Sequence, residues 1–352
     1  MKRRWLARHM AALMIGTTVV ATAAVPASAA VPTTITTISS GWTVPWGMDW
    51  LPDGRALITE RNSFRVYTLG RNGTRTLVGT VPDAATTGGE GGLLGVAVAP
   101  DFASTRQVFF FHSSATDNRI VRARLDGTSL SRFMPVLTGI ARARVHNGGR
   151  IAFGPDGYLY ATTGDATNTA LAQNRNSLNG KILRMRRDGT PAPGNPFGTL
   201  VYSLGHRNPQ GIAWDSAGRL WEAEFGQNRF DELNLVKPGL NYGWPTCEGT
   251  CDVAGMTNPK RQWPTGEASP SAIAIADDVV YMAALRGQRL WRVPLSGENT
   301  QTPVAYYANQ YGRLRTVVTV PGGRALWLST TNSDANGGQP AGSDRVFQIA
   351  LG

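Results

Sequence analysis

Residues 150–165 read "RIAFGPDGYLYATTGD", two short alternating runs joined by Pro155-Asp156-Gly157. Alternation with period two is the mark of a strand with two distinct faces, and Pro-Asp-Gly between such runs is a turn with a mechanism. Proline presets the backbone for entry, and glycine accepts the left-handed conformation at the exit. The stretch is therefore a hairpin, and the question is how often it recurs.

It recurs five more times. Copies begin at Gly47 ("GMDWLPDGRALITE"), Gly95 ("GVAVAPDFASTRQVFFF"), Gly211 ("GIAWDSAGRLWEAEFG"), Ala272 ("AIAIADDVVYMAAL") and Thr316 ("TVVTVPGGRALWLSTT"). Starts 44 to 61 residues apart, all strand and no long amphipathic helix, predict an all-β, six-bladed β-propeller with a central axial site. A β-sandwich with coincidental turns explains the regular spacing poorly. The final "RVFQIALG" and the early "TTITTISS" are expected to pair and close the ring, removing open sheet edges.

In a ring of blades, equivalent positions converge on one rim of the channel. The second copy is preceded by Glu90, the third by His146, and the fourth by Arg207 and Asn208. The sixth carries Arg313 ahead of it and Arg315 beside it, whereas the first offers only Thr43 and the fifth only prolines and serines. One carboxylate, one imidazole and three guanidinium groups on one rim form a candidate site. The imidazole is a base able to work near neutral pH, and the arginines are planar donors for carboxylates or a developing oxyanion. Asp165, which ends the strand after His146, is placed either to orient the imidazole or to act as an ordinary turn aspartate. No phosphate loop with a following helix, nucleophile elbow, H-E-x-x-H or EF-hand pattern is present.

The ends of the chain speak to location. "MKRRWLARHM" followed by an apolar stretch and Ala27-Ser28-Ala29 reads as a secretory signal peptide over residues 1–29. The expected organisation is that leader, an N-terminal segment 30–40 supplying the closing strand, and one propeller domain over 41–352. A secreted or otherwise extracytoplasmic protein follows, with no stable membrane insertion after cleavage. Of the formal charge of +11, the leader holds four, and the remaining basic residues are scattered. An acidic small ligand or plain solubility accounts for that charge, so nucleic-acid binding is not expected. Cys247 and Cys251, in "CEGTC", are expected to form a local disulfide.

Taken in order from Gly41 to the end, "GEGGLLGVAVAPDF", "HNGGRIAFGPDGYLYATTGD", "NSLNGKILRMRRDGTPAPGNPF", "GHRNPQGIAWD", "EFGQNRFDELNLVKPGLNYGWP", "ALRGQRLWRV" and "GRLRTV" resemble the soluble aldose sugar dehydrogenases dependent on pyrroloquinoline quinone (PQQ), the glucose/sorbosone dehydrogenase family. The resemblance implies that His146 is the general base for the anomeric hydroxyl and that Asp165 orients it. It implies Glu90 as a sugar contact, and Arg207 and Asn208 against the quinone carbonyls. Arg286 and the pair Arg313 and Arg315 would bind the cofactor carboxylates. A calcium ion bridging cofactor and protein would sit on the backbone carbonyls of Gly226 and Gln227, and a second, structural calcium near Glu232 and the Tyr242 carbonyl. Departures from the glucose-oxidising type are Val145, Gln227 in place of proline, and the loop "ATNTALAQN", which imply broad sugar specificity. The implied activity is oxidation of aldoses to lactones with an external electron acceptor. A calcium-dependent propeller lactonase and a non-catalytic glycan- or protein-binding propeller are the alternatives. The first would need carboxylate and Asn ligands on the axis, and the second would not need His146, Asp165 and the arginine pair together.

Overall fold

The computed structural model describes Met1 and residues 30–352, so the leader read over residues 1–29 lies, apart from Met1, outside the described residues. Six antiparallel sheets, five of four strands and one of five, follow one another along the chain. Their innermost strands are Pro45–Trp50, Leu93–Val98, Ile151–Phe153, Pro209–Trp214, Pro270–Ala276 and Leu314–Thr319. Each contacts the next in cyclic order, and the last contacts the first, which makes a six-bladed propeller.

The hairpin that decided the fold has the expected register, Ile151 opposite Ala161 and Phe153 opposite Leu159. Its turn closes through Gly157 N–H on the Gly154 carbonyl at 2.9 Å, with Gly157 at φ 78° and Asp156 Oδ1 accepting the Tyr158 N–H at 3.1 Å. That is a turn ending in a left-handed residue, the arrangement for which Pro-Asp-Gly is suited.

The second strands of the blades, such as Leu159–Thr163 and Leu220–Glu224, are buried along their whole length because both faces meet a neighbouring blade. Each blade-to-blade interface accordingly holds its own apolar cluster. Phe109, Phe111, Leu159 and Leu183 lie between the second and third blades, and Trp42, Ile58, Trp327 and Val346 between the sixth and first. Fully burying one such large side chain contributes about 1.5–3 kcal/mol. Closure is by the strand Pro32–Trp42, which pairs antiparallel with Asp344–Leu351 from Pro32↔Leu351 to Trp42↔Asp344. The only helices among the described residues are single turns, Phe102–Thr105 and Ala170–Gln173.

Candidate active site

An antiparallel hairpin brings the residues ahead of its first strand and those at the end of its second strand to the same edge. All six blades present that edge to one rim, and the candidate residues gather there.

His146 lies in the loop before Ile151–Phe153 with φ 59°, a conformation rarely adopted by a residue with a side chain. Three contacts hold it. Its N–H donates to Glu90 Oε2 at 2.9 Å, its carbonyl accepts the Ala166 N–H at 3.1 Å, and its Nδ1 lies 2.8 Å from Asp165 Oδ1. The loop can pack this closely because residue 164 is glycine: a Cβ there would stand 2.0 Å from the His146 carbonyl oxygen. Asp165 is fully buried and accepts two further bonds, from Thr167 N–H and Trp244 Nε1, both at 2.8 Å. A carboxylate so furnished with donors is an acceptor for Nδ1–H, which leaves Nε2 with its lone pair on a partly exposed ring. Asp165 thus does both things the sequence allowed: it bonds the His146 imidazole and closes a local turn through the Thr167 N–H.

Glu90 and Asn208 knit this half of the rim across three blades. Glu90 Oε2 also accepts Asn208 Nδ2 at 3.2 Å, and Asn208 Oδ1 accepts the Gly148 N–H at 3.0 Å. Arg207 follows the same edge: its carbonyl accepts the Asp165 N–H at 2.8 Å, and its guanidinium lies over the Trp244 ring, 5.4 Å from the centroid. Arg207 Nη1 donates to the carbonyls of Gly226 at 2.6 Å and Phe225 at 3.2 Å. The Gly226 carbonyl opens a turn, 226–230, in which the N–H groups of Gln227, Asn228, Arg229 and Phe230 converge on Glu248 Oε1 at 2.6, 2.8, 2.8 and 3.3 Å. Glu248 stands inside the Cys247–Cys251 loop, which is closed by a disulfide. Burial opposes its ionisation, but the four N–H groups outweigh it and hold the carboxyl below the usual glutamate range.

The other half of the rim is cationic. Arg313 and Arg315 flank Leu314, and each places Nη2 3.3 Å from Asp334 Oδ2. Asp334 is fixed by the N–H groups of Asn336 at 2.9 Å and Gly337 at 2.8 Å. Burial works against its charge, yet Arg315, Arg313 and Arg61 together keep it below the ordinary aspartate range. Burial lowers Arg315 to about 10. Its Nε and that of Arg207 are buried without a hydrogen-bond partner among the described residues. Arg313, Arg315 and the exposed Arg286 share with Glu90 and Gln210 a cavity of about 420 Å³. A wider, more open cavity of about 620 Å³ adjoins it across Arg286, Arg313 and Asn336.

The floor is a residue that sequence reading passed over. Arg150 fills the axis, donating from Nε to the Gln210 carbonyl at 2.9 Å and from its terminal nitrogens to the carbonyls of Trp46 at 3.3 Å and Ser271 at 3.1 Å. Its guanidinium also stacks 4.2 Å from the Trp46 ring centroid. Among the described residues it touches no carboxylate, and burial brings it down to about 9. Also missed were Asp334 and Arg61, so the first blade supplies more than Thr43. Both follow the second strands of their blades, the positions that give Asp165 and Arg286. Scanning those ends as well as the starts of the first strands finds them, along with Glu224.

Glu232 and Tyr242 lie elsewhere, at the interface of the third and fourth blades. Glu232 Oε1 accepts the Gly249 N–H at 2.6 Å, and Tyr242 stacks on His206 with centroids 4.9 Å apart. Burial first, and the neighbouring Glu224 second, raise Glu232 to about 8.

The Glucose / Sorbosone dehydrogenase family profile matches residues 42–338. The quinoprotein glucose dehydrogenase B of Acinetobacter calcoaceticus is 31% identical over 255 residues, covering 62% of this chain and 53% of that protein. The aldose sugar dehydrogenase YliI of Escherichia coli is 34% identical over 236 residues, covering 61% and 62%. The chain thus spans between about half and two thirds of the length of these two curated relatives. Among solved structures, the PQQ-bound aldose sugar dehydrogenase of Streptomyces coelicolor is similar with a TM-score of 0.87 and 47% identity, over 92% of this chain and 100% of that one. With the blades, the His146–Asp165 pair and the arginine rim in place, the chain belongs to the glucose/sorbosone dehydrogenase family.

Proposed function

We propose that the protein is an exported quinoprotein dehydrogenase that oxidises the anomeric carbon of aldose sugars to the lactone and passes the electrons to an external acceptor. The observation that carries this reading is the division of the rim. The His146 imidazole, held through Nδ1 by Asp165 and partly exposed, shares a rim with a cavity lined by Arg286, Arg313 and Arg315 against the single carboxylate of Glu90, which is itself bonded to the His146 N–H.

The residues fit a tricarboxylate quinone. Arg315 and Arg207 each keep a buried Nε donor without a partner among the described residues, and Arg286 makes no ion pair there. They fit a bridging calcium as well, since the carbonyl of Gly226 already receives a cation, the Arg207 guanidinium, at 2.6 Å. When bound, PQQ supplies the electrophilic carbonyl that accepts a hydride, polarised by calcium acting as a Lewis acid on the carbonyls of Gly226 and Gln227.

The chain's own residues do the rest. His146 Nε2 takes the proton from the anomeric hydroxyl as the C–H bond on the same carbon breaks, and Asp165 supports the imidazolium that forms. Glu90 would contact the sugar, Arg207 and Asn208 would meet the quinone carbonyls, and Arg286, Arg313 and Arg315 would bind the carboxylates. Glu232 and the Tyr242 carbonyl would hold a structural calcium. No helix among the described residues is long and apolar enough to cross a membrane.

The test is dye-linked oxidation of a panel of aldoses, with and without added PQQ and calcium, and with His146→Ala as control. Turnover that needs both additions and vanishes in the variant supports the proposal. Absence of turnover and of quinone binding hands the rim to a different ligand.

A further inference from the structure

The fourth blade carries acid where a propeller interface is normally apolar. Its strands Leu220–Glu224 and Phe230–Val236 pair so that Glu224 stands opposite Glu232 and Glu222 opposite Asn234. All four are buried, and directly opposed like charges on a sheet face destabilise it. His206 comes up against them with Nδ1 2.9 Å from Glu224 Oε2. The ring is held from behind by Ser203 Oγ, 2.8 Å from Nε2, and by the stacked Tyr242.

Among the described residues, no lysine or arginine side chain ion-pairs with these carboxylates. Lys181, buried in the third blade, spends its ammonium on the carbonyls of Leu171, Ala172 and Asn179 at 2.7, 2.9 and 2.6 Å. Arg207 gives Glu224 only its backbone N–H, at 3.2 Å, and sends its guanidinium to the carbonyls of Phe225 and Gly226. A second, independent sign is that two acceptors are left over. Asn234 Nδ2 bridges Glu222 Oε2 and Glu232 Oε2, both at 3.1 Å, yet Asn234 Oδ1 and Glu222 Oε1 are buried with no hydrogen-bond partner among the described residues. Unpaired acceptors and carboxylates without a cationic partner, buried together, call for a cation.

We propose that His206, Glu222 and Glu224 bind a divalent metal ion at the interface of the third and fourth blades, one atom from each lying within 4.8 Å of the others. One imidazole nitrogen with two carboxylates is a donor set for a first-row ion of the zinc or manganese kind, whereas calcium takes oxygen alone. Ser203 supplies the outer contact that fixes the imidazole with Nδ1 toward the ion. The site differs in its donors from both calcium positions above, and it needs neither quinone nor sugar. The ion would clamp the two blades that carry His146 and Arg207.

The experiment uses the full-length protein without cofactor, stripped with chelator, reloaded separately with zinc, manganese or calcium, and desalted. Bound metal is counted by elemental analysis, and the melting temperature is followed. The wild type should retain one zinc or manganese ion and melt higher for it. Glu222→Gln, nearly isosteric, should weaken that binding by about 100-fold, on the scale of lost metal-site contacts. Retention of neither zinc nor manganese, with Glu222→Gln melting at or above the wild type, would mean that the carboxylates share protons instead, and would overturn the proposal. So would a single calcium ion lost in Glu232→Gln but kept in Glu222→Gln. Neither result bears on the dehydrogenase reading, which stands or falls on turnover.

Discussion

The two halves of the rim are built on opposite rules. From the second to the fourth blade, Glu90, His146, Asp165 and Asn208 use one another, and His146 Nδ1, Asp165 and the Asn208 amide are all engaged in the bonds described above. From the sixth blade, Arg313 and Arg315 share one carboxylate, Asp334, and the described residues leave donors over. Bonds made within the protein rigidify, and bonds left unmade wait for a ligand. The first half is therefore held rigid and the second left open, which suits the proton transfer proposed for the one and the anion binding proposed for the other.

Removing the base should produce the largest effect. His146→Ala is expected to lower kcat by about 10²–10⁴-fold, the usual worth of a positioned general base. Quinone affinity, measured by titrating the apo protein, should stay near that of wild type. A parallel loss of quinone binding would mean that the two halves are not separate.

Asp334→Asn tests the other half. It strips the counter-charge from two guanidinium groups, one of them fully buried, and should destabilise the apo protein by about 3–5 kcal/mol. Because Asp334 is held below its ordinary range, its contribution is present at neutral pH and fades as pH falls through that lowered value. Added PQQ should narrow the gap in melting temperature between variant and wild type, since its carboxylates take over the role. A gap that ignores the quinone would show that Asp334 is structural only.

Gly164→Ala sharpens the claim of rigidity on the proton side. The new methyl would stand 2.0 Å from the His146 carbonyl oxygen, so the loop must move. A shift of roughly 1 Å in a catalytic group can cost about 100-fold in rate, and kcat should fall on that scale with KM little changed. Unchanged kcat would mean that the loop tolerates displacement.

How much of this was legible in the sequence depended on which end of a strand was read. The hairpins announced themselves through alternation and turn residues, because both are local properties of the chain. His146, Arg207 and Arg313 emerged because they precede repeated strands, and repetition maps sequence position onto the rim. Arg61 and Asp334 were overlooked although they sit at the same edge, at or just past the far ends of the hairpins. Arg150 was hidden for a different reason. It sits just ahead of its strand, at a position that is apolar or small in the other copies, and only closure of the ring turns that position into an axis lined by carbonyls from other blades. Nothing local marks such a residue.

The turn 226–230 lies where the two halves meet, and it offers the finest test. Glu248→Gln leaves an acceptor oxygen for the N–H groups of Gln227, Asn228 and Arg229 but removes its charge. Glu248 is partly open to solvent, so the loss at neutral pH should be small, about 0.5–1 kcal/mol. The sign of the pH dependence is more telling than its size. A carboxyl held below its ordinary range stabilises the fold above that range and stops doing so as pH falls through the lowered value. The wild type should therefore lose stability on acidification more steeply than the variant, with the two curves converging at low pH. If calcium seats on the carbonyls of Gly226 and Gln227, the variant should also bind it more weakly, because the turn that presents them is less firmly held. Curves that stay parallel down to low pH would show that the N–H groups accept a neutral oxygen equally well, and that the turn is set by the Cys247–Cys251 loop alone.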